Sequence, residues 1–252
     1  MAKLNGLALS SLVAGALVSF AATTVEAAPV VPADHEALMS DLVAALVGVD
    51  PSENRNNWAA PNESCAITWA SRTSVPSALT RGSCFFTLAL REAYPNVTPT
   101  RLSQWFGSSN PSAAVYYDHI VEENRFWRLF DPAEVLVGDV LAVKYTTSGN
   151  VTVGYTLVVK GIEYQQTFSD GTERYVVEVV DSSNDPHGVH DTRYVSGGPH
   201  VAGVGSGFLF LDADPVTGDY KGHSWSLQNQ NQSSYYSIAT RPIVVGRFDP
   251  NR

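Results

Sequence analysis

Two cysteines stand in the chain, and the second, Cys84, lies in "GSCFFTLAL" (residues 82–90), directly before an apolar run that reads as a helix. A thiolate at the amino end of a helix feels the exposed N–H groups and the positive end of the macrodipole, which lowers its pKa and prepares a nucleophile. Two other fates suit the same residue. A disulfide with Cys65 would close a loop of roughly 20 residues and stabilise an exported chain by about 3 kcal/mol. A small buried thiol with no reactivity fits an apolar run equally well. The sequence leaves all three open.

The remaining chemistry-bearing residues give weaker signals. His187, His190 and Asp191 fall in "NDPHGVHDTR", where two histidines three residues apart could start a metal site. No cysteine or glutamate motif reinforces them, and Asp, Pro and Gly are turn formers first, so no metal or other cofactor is expected. "DADPVTGD" lacks the acidic ladder and closing glutamate of a calcium loop and reads as a hairpin turn. In "GVGSGF" the serine misses the nucleophile-elbow spacing, and the run leads into a strand rather than opening a helix, so it is no dinucleotide fingerprint. Gly203, Gly205 and Gly207 alternate instead, which places three positions without side chains on one strand face. Something must approach that face closely.

Elements that position these residues follow from periodicity. "ADHEALMSDLVAALVG" puts Leu38, Leu42, Ala45, Leu46 and Val49 on one helical face, and the polar "PSENRNNWAAPNES" after it reads as a connecting loop. Three helices fit between residues 83 and 124: "SCFFTLALREAY" with Ser83 as its cap, "TPTRLSQWFG" with Thr98, Pro99 and Gly107 as its punctuation, and "NPSAAVYYDHIVEEN" opening at Asn110 and Pro111. From residue 126 onward the pattern changes to short strands rich in Val, Thr and aromatic residues, at 138–145, 151–161, 174–181, 207–214, 220–227 and 242–248. Helices first and strands afterwards predict an α+β domain, with helices packed on one side of an antiparallel sheet.

The amino terminus carries Lys3, an apolar segment from Leu7 to about Ala22, and small residues up to Ala27 and Ala28. That is the layout of a secretory signal peptide. The expected organisation is a signal over 1–28, an N-terminal helix and connecting loop over 29–62, and a single domain over 63–252. Losing Lys3 and Glu26 together leaves the formal charge at −9. An acidic chain without a Lys/Arg run is a poor nucleic-acid binder, and no later stretch is long and apolar enough for insertion into a membrane. A secreted or periplasmic location is expected.

The order of a helix-start cysteine, "GDVLAVKY", "VGYTLVV", "VVDSSNDPHGVHDTR", a glycine-rich strand, a late tryptophan and "IVVGR" resembles the NlpC-type branch of the papain-like cysteine hydrolases, over residues 80 to 248. The resemblance implies a papain-like, NlpC-like fold and cleavage of amide bonds in cell-wall peptides, with peptidoglycan or another peptide as partner. It implies Cys84 as nucleophile and Asp181 as the residue that orients a histidine. That histidine is missing from its usual place at the start of the second strand, where Tyr155 stands. A phenol with a pKa near 10 is about 0.1% ionised at neutral pH and makes no imidazolium partner for a thiolate. Tyr155 is assigned to binding, and a sharp return of the loop after Asp181 could bring either His187 or His190 near the helix start, with His187 as the candidate base. The alternative is a catalytically inactive relative, a pseudoenzyme with the Cys65–Cys84 disulfide, that binds a peptide or glycan outside the cytoplasm or stabilises an envelope assembly.

Overall fold

Capping chemistry written in the sequence sets the helices. The computed structural model describes residues 28–31, 33–56, 64–71, 73–228 and 234–252; the signal sequence lies outside them, apart from Ala28. Helix α1 runs over Asp34–Leu46, α2 over Gly82–Ala93, α3 over Pro99–Phe106 and α4 over Ala113–Val121. At α3 the Thr98 hydroxyl accepts from the Arg101 amide at 3.2 Å, Pro99 occupies the first turn, and Gly107 closes the helix at φ 70°. At α4 the cap is Ser112 rather than Asn110, and Arg81 rather than Ser83 is the N-cap position of α2.

Eleven strands accompany them among the described residues: β1 (Asn54–Asn56), β2 (Ala66–Thr68), β3 (Ser77–Thr80), β4 (Phe126–Leu129), β5 (Val140–Thr146), β6 (Thr152–Thr167), β7 (Glu173–Ser183), β8 (Gly203–Ala213), β9 (Tyr220–Ser224), β10 (Tyr235–Ser237) and β11 (Ile243–Phe248). β1, β3 and β2 make a small sheet, and the other eight form one antiparallel sheet in the order β10-β9-β8-β7-β6-β5-β11-β4. The segment expected as a loop after α1 thus contributes β1, which pairs in parallel with β3. Asn54 joins the two sheets: its amide donates to the Val204 carbonyl and its carbonyl accepts from the Val204 N–H, both at 2.8 Å.

The expected α+β, papain-like or NlpC-like architecture, with helices packed on one side of an antiparallel sheet, is overturned. The described residues are mostly β, and among them four α-helices accompany a large sheet with apolar residues on both faces. On one face Val140, Ala142, Val158, Val180 and Val244 share a core with Phe85, Phe86, Leu90 and Tyr116. On the other, Leu141, Leu157, Val159, Val179 and Leu209 form a second core with no helical member. The sheet supplies that second core by bending: β9 and β11 touch although four strands separate them in the sheet. Register shifts in β6 at Val159/Gly161 and Tyr164/Gln166 mark where the strand is bent. Strands buried on both faces lose the polar-out alternation of a half-solvated sheet.

The amino-terminal segment is fastened to the same body. His35 is buried, its Nδ1 accepting from the Tyr94 hydroxyl and its Nε2 donating to the Gly138 carbonyl, both at 2.8 Å. Arg247 pairs with Asp139 and donates to the carbonyls of Ala28 and Pro29 at 3.2 and 3.1 Å.

Of the three fates open to Cys84, the structure takes the disulfide. Cys65, just before β2, is bonded to Cys84 in the first turn of α2 across a separation of 19 residues. A thiol reagent applied to the unfolded, unreduced mature protein is therefore expected to label no cysteine, and two after reduction. Cys65→Ser is expected to cost about 3 kcal/mol in denaturant unfolding, and an unchanged midpoint at unchanged m-value would refute the bridge.

Candidate functional site

Strand alternation decides which of the sequence-derived site residues meet. Along β7 the register with β8 is regular from Glu173 to Ser183, so Val177, Val179 and Asp181 share one face, and Val180 and Ser182 share the other. Val180 belongs to the core shared with the helices, and Ser182 Oγ accepts from the Thr80 hydroxyl at 3.0 Å on the same side. Asp181 therefore points to the face opposite α2. On β6, Tyr155 packs against that same helix-free core. Asp181 and His187 do come together, with His187 Nε2 3.4 Å from Asp181 Oδ1. Cys84 belongs to the other side of the sheet, with its sulfur bonded to Cys65. The constellation of Cys84, His187 and Asp181 is not assembled, and no thiol is left to attack.

Asp181 and His187 belong instead to a buried ionic network. Arg193 Nη2 lies 2.8 Å from Asp181 Oδ1 and 2.6 Å from Asp191 Oδ2, and Arg193 Nε donates to Asp191 Oδ1 at 2.9 Å. Arg193 Nη1 completes the set with bonds to the Ser183 hydroxyl and the Gly203 carbonyl at 2.6 and 2.9 Å. Asp191 also accepts from the His187 N–H at 2.7 Å. Burial pushes the Asp181 carboxyl up, but Arg193 and His187 together hold it below the usual range. Gly205 and Gly207 make room for this network, while Gly203 makes room for Asn54. A Cβ at Gly205 would sit 2.3 Å from Arg193 Nε, and one at Gly207 would sit 2.7 Å from both Asp191 Oδ2 and His187 Cβ. Gly207→Ala is accordingly expected to cost about 2 kcal/mol by overpacking, read in urea unfolding. A neutral result would mean that the loop yields freely.

The network holds a tryptophan at the edge of a cleft. His187 Nδ1 donates to the Trp225 carbonyl at 2.7 Å, the two rings lie 4.1 Å apart, and the Trp225 indole N–H donates to the Pro186 carbonyl at 3.0 Å. Trp225, Pro186, Ser182 and Ser183 line a cavity of about 940 Å³, together with Arg81, Gly82 and Ser83 from the start of α2 and Tyr155 from β6. Tyr145, Tyr194 and Tyr236 add aromatic rings, and Asn56, Asn110, Asn184 and Gln228 add amides. The Tyr155 hydroxyl donates to His223 Nε2, and the Tyr155 ring meets Trp225 edge-on at 5.3 Å. Burial pushes the Tyr155 phenol up, against the pull of Arg241 beside it. Burial, aided by Arg241, drives His223 down to about 3, so its imidazole is neutral and accepts a hydrogen bond from the phenol. Tyr155 is fixed in the wall as a protonated phenol.

The comparisons with known proteins add a relative but no activity. The chain is 29% identical over 203 residues to an uncharacterised protein of Acanthamoeba polyphaga mimivirus, covering 76% of this chain and 84% of that protein. No family model matches the chain. No solved structure matches it.

Arg193, Arg241 and Arg81 were not legible as site residues. Nothing in "HDTR" or "ATRP" distinguishes a buried or cleft-lining arginine from a solvated one. The glycine alternation at 203, 205 and 207 was the usable signal, since it announces a close approach without naming what approaches.

Proposed function

We propose that the mature chain is an extracytoplasmic, non-catalytic domain that binds a glycan in this cleft. The observation that carries the reading is the bond between Cys65 and Cys84 beside an open cleft lined with rings and amides. A peptide site of the usual kind offers apolar pockets for alternate side chains or a long free strand edge. Among the described residues the aliphatic lining is Ala113, Ala114, Val151, Val153 and Pro186, while hydroxyls and amides surround five aromatic rings. Tyr and Trp present an apolar face and a polar tip, which suits a ligand with both C–H faces and hydroxyls. The signal-like leader and the disulfide support a location outside the cytoplasm. Titrating the oxidised mature protein with an N-acetylglucosamine hexamer, followed by tryptophan fluorescence, tests the reading. A saturable change that Trp225→Ala weakens at least about tenfold is expected, with the sugar recovered intact. No response to this or any other oligosaccharide tried would overturn it, as would release of cleavage products from cell-wall peptides by the unreduced protein.

A further inference from the structure

The cleft's charge runs against that of the chain. The protein carries a formal −9, yet among the described residues the cavity is lined by Arg81 and Arg241 against a single carboxylate, Asp185. Three little-exposed arginines are neutralised: Arg174 by Asp212, Arg193 by Asp181 and Asp191, and Arg247 by Asp139. Neither Arg81 nor Arg241 makes an ion pair among the described residues. Arg241 is also held in place. Its guanidinium carbon lies 3.7 Å from the centre of the Tyr236 ring and 4.3 Å from that of Tyr145, and both tyrosines line the cavity. Arg241 also reaches the Tyr155 hydroxyl, while its guanidinium donors lie in the plane between the two rings and match the fork of a carboxylate.

We propose that the cleft selects an acidic oligosaccharide, whose carboxylate seats on Arg241 with Arg81 as a second cation. The inference rests on the glycan-binding reading above and names the class of glycan. A positive cleft in an acidic protein draws an anionic ligand to this one place and repels it elsewhere. A cation already fixed by two rings loses little freedom on binding, so most of the charge-assisted bond appears as affinity.

The experiment compares four probes on the oxidised mature protein by calorimetry: a tetragalacturonate, its full methyl ester, a neutral N-acetylglucosamine tetramer and tetraglutamate. The uronate is expected to bind at least about tenfold more tightly than its ester, the size of a charge-assisted hydrogen bond. Arg241→Gln should erase that ratio, Arg241→Lys should keep part of it, and Arg81→Gln should reduce it. Equal binding of uronate and ester would overturn the carboxylate seat while leaving the glycan reading standing. Failure of all three saccharides would overturn both. Tetraglutamate binding more tightly than the uronate would assign the cleft to acidic peptides and overturn the proposal. The ester comparison uses the native protein, so the test survives a variant that does not fold.

Discussion

Arg193→Met should lower the unfolding free energy by about 3–5 kcal/mol, the penalty for leaving a buried ion network without its central partner. Arg193 is 2% exposed, and it is the cation between Asp181 and Asp191, themselves 2% and 5% exposed. Removing it strands two carboxylates in a place where water cannot reach them. Urea unfolding of the oxidised protein measures the loss, and adding Asp181→Asn and Asp191→Asn to the same chain should recover part of it. A loss below about 1 kcal/mol would mean that the network is hydrated. The consequence reaches function as well, because the loop carrying His187 and Asp191 is what supports Trp225 at the cleft.

The second large effect is loss of stability in mild acid. Burial lowers His35 to about 4, and burial with Arg241 nearby lowers His223 to about 3. Both folded values lie below the unfolded value of 6.5, so both imidazoles are neutral in the fold, and protons bind preferentially to the unfolded chain. Their contribution is complete above pH 6.5 and is lost as the pH falls toward 4 and 3. At pH 4 each histidine has withdrawn about 3 kcal/mol, a large share of the stability of an ordinary domain. Asp181, held below the usual carboxylate range, adds a further loss only at lower pH. Unfolding midpoints in urea should therefore drop steeply between pH 6.5 and 4. His35→Gln should start lower at pH 7.5 but fall less. A flat profile across that window would contradict the buried, neutral assignment of both histidines.

How far the sequence could be read depends on whether the controlling interactions are local. Thr98, Pro99 and Gly107 announce α3 because caps and left-handed closure involve residues one turn apart. The strand that begins near Val140 and the hairpin through Asp214 are legible for the same reason, since an Asx turn at Asp214 accepting from Val216 N–H is local chemistry. The bend that lets the large sheet build a second core is not local. It rests on contact between β9 and β11 and on irregularities within β6. The expectation of helices on one side of a sheet failed at that point. β1 was missed because Asn54–Asn56 is a polar tripeptide whose strand character comes from pairing with β3 and from the Asn54 bonds to Val204. Cys84 illustrates the same limit at the site. Its position at a helix start is visible in sequence, but its bond to Cys65 depends on where β2 lies. That the loop after Asp181 could return a histidine to it was legible, but not that His187 rather than His190 is the one, nor which sheet face they share, since both depend on the loop path and the β7 register.

One calorimetric titration decides whether the cleft binds a glycan with no thiol nucleophile beside it. Tetragalacturonate is added to the unreduced mature protein, and the cell contents are then analysed by mass spectrometry. A saturable one-site isotherm, tighter than that of the methyl ester, is expected, with the sugar recovered whole and the protein mass showing an intact disulfide. Absence of binding by uronate, ester and neutral sugar alike, or a protein mass two hydrogen atoms heavier with both cysteines free, would overturn that expectation.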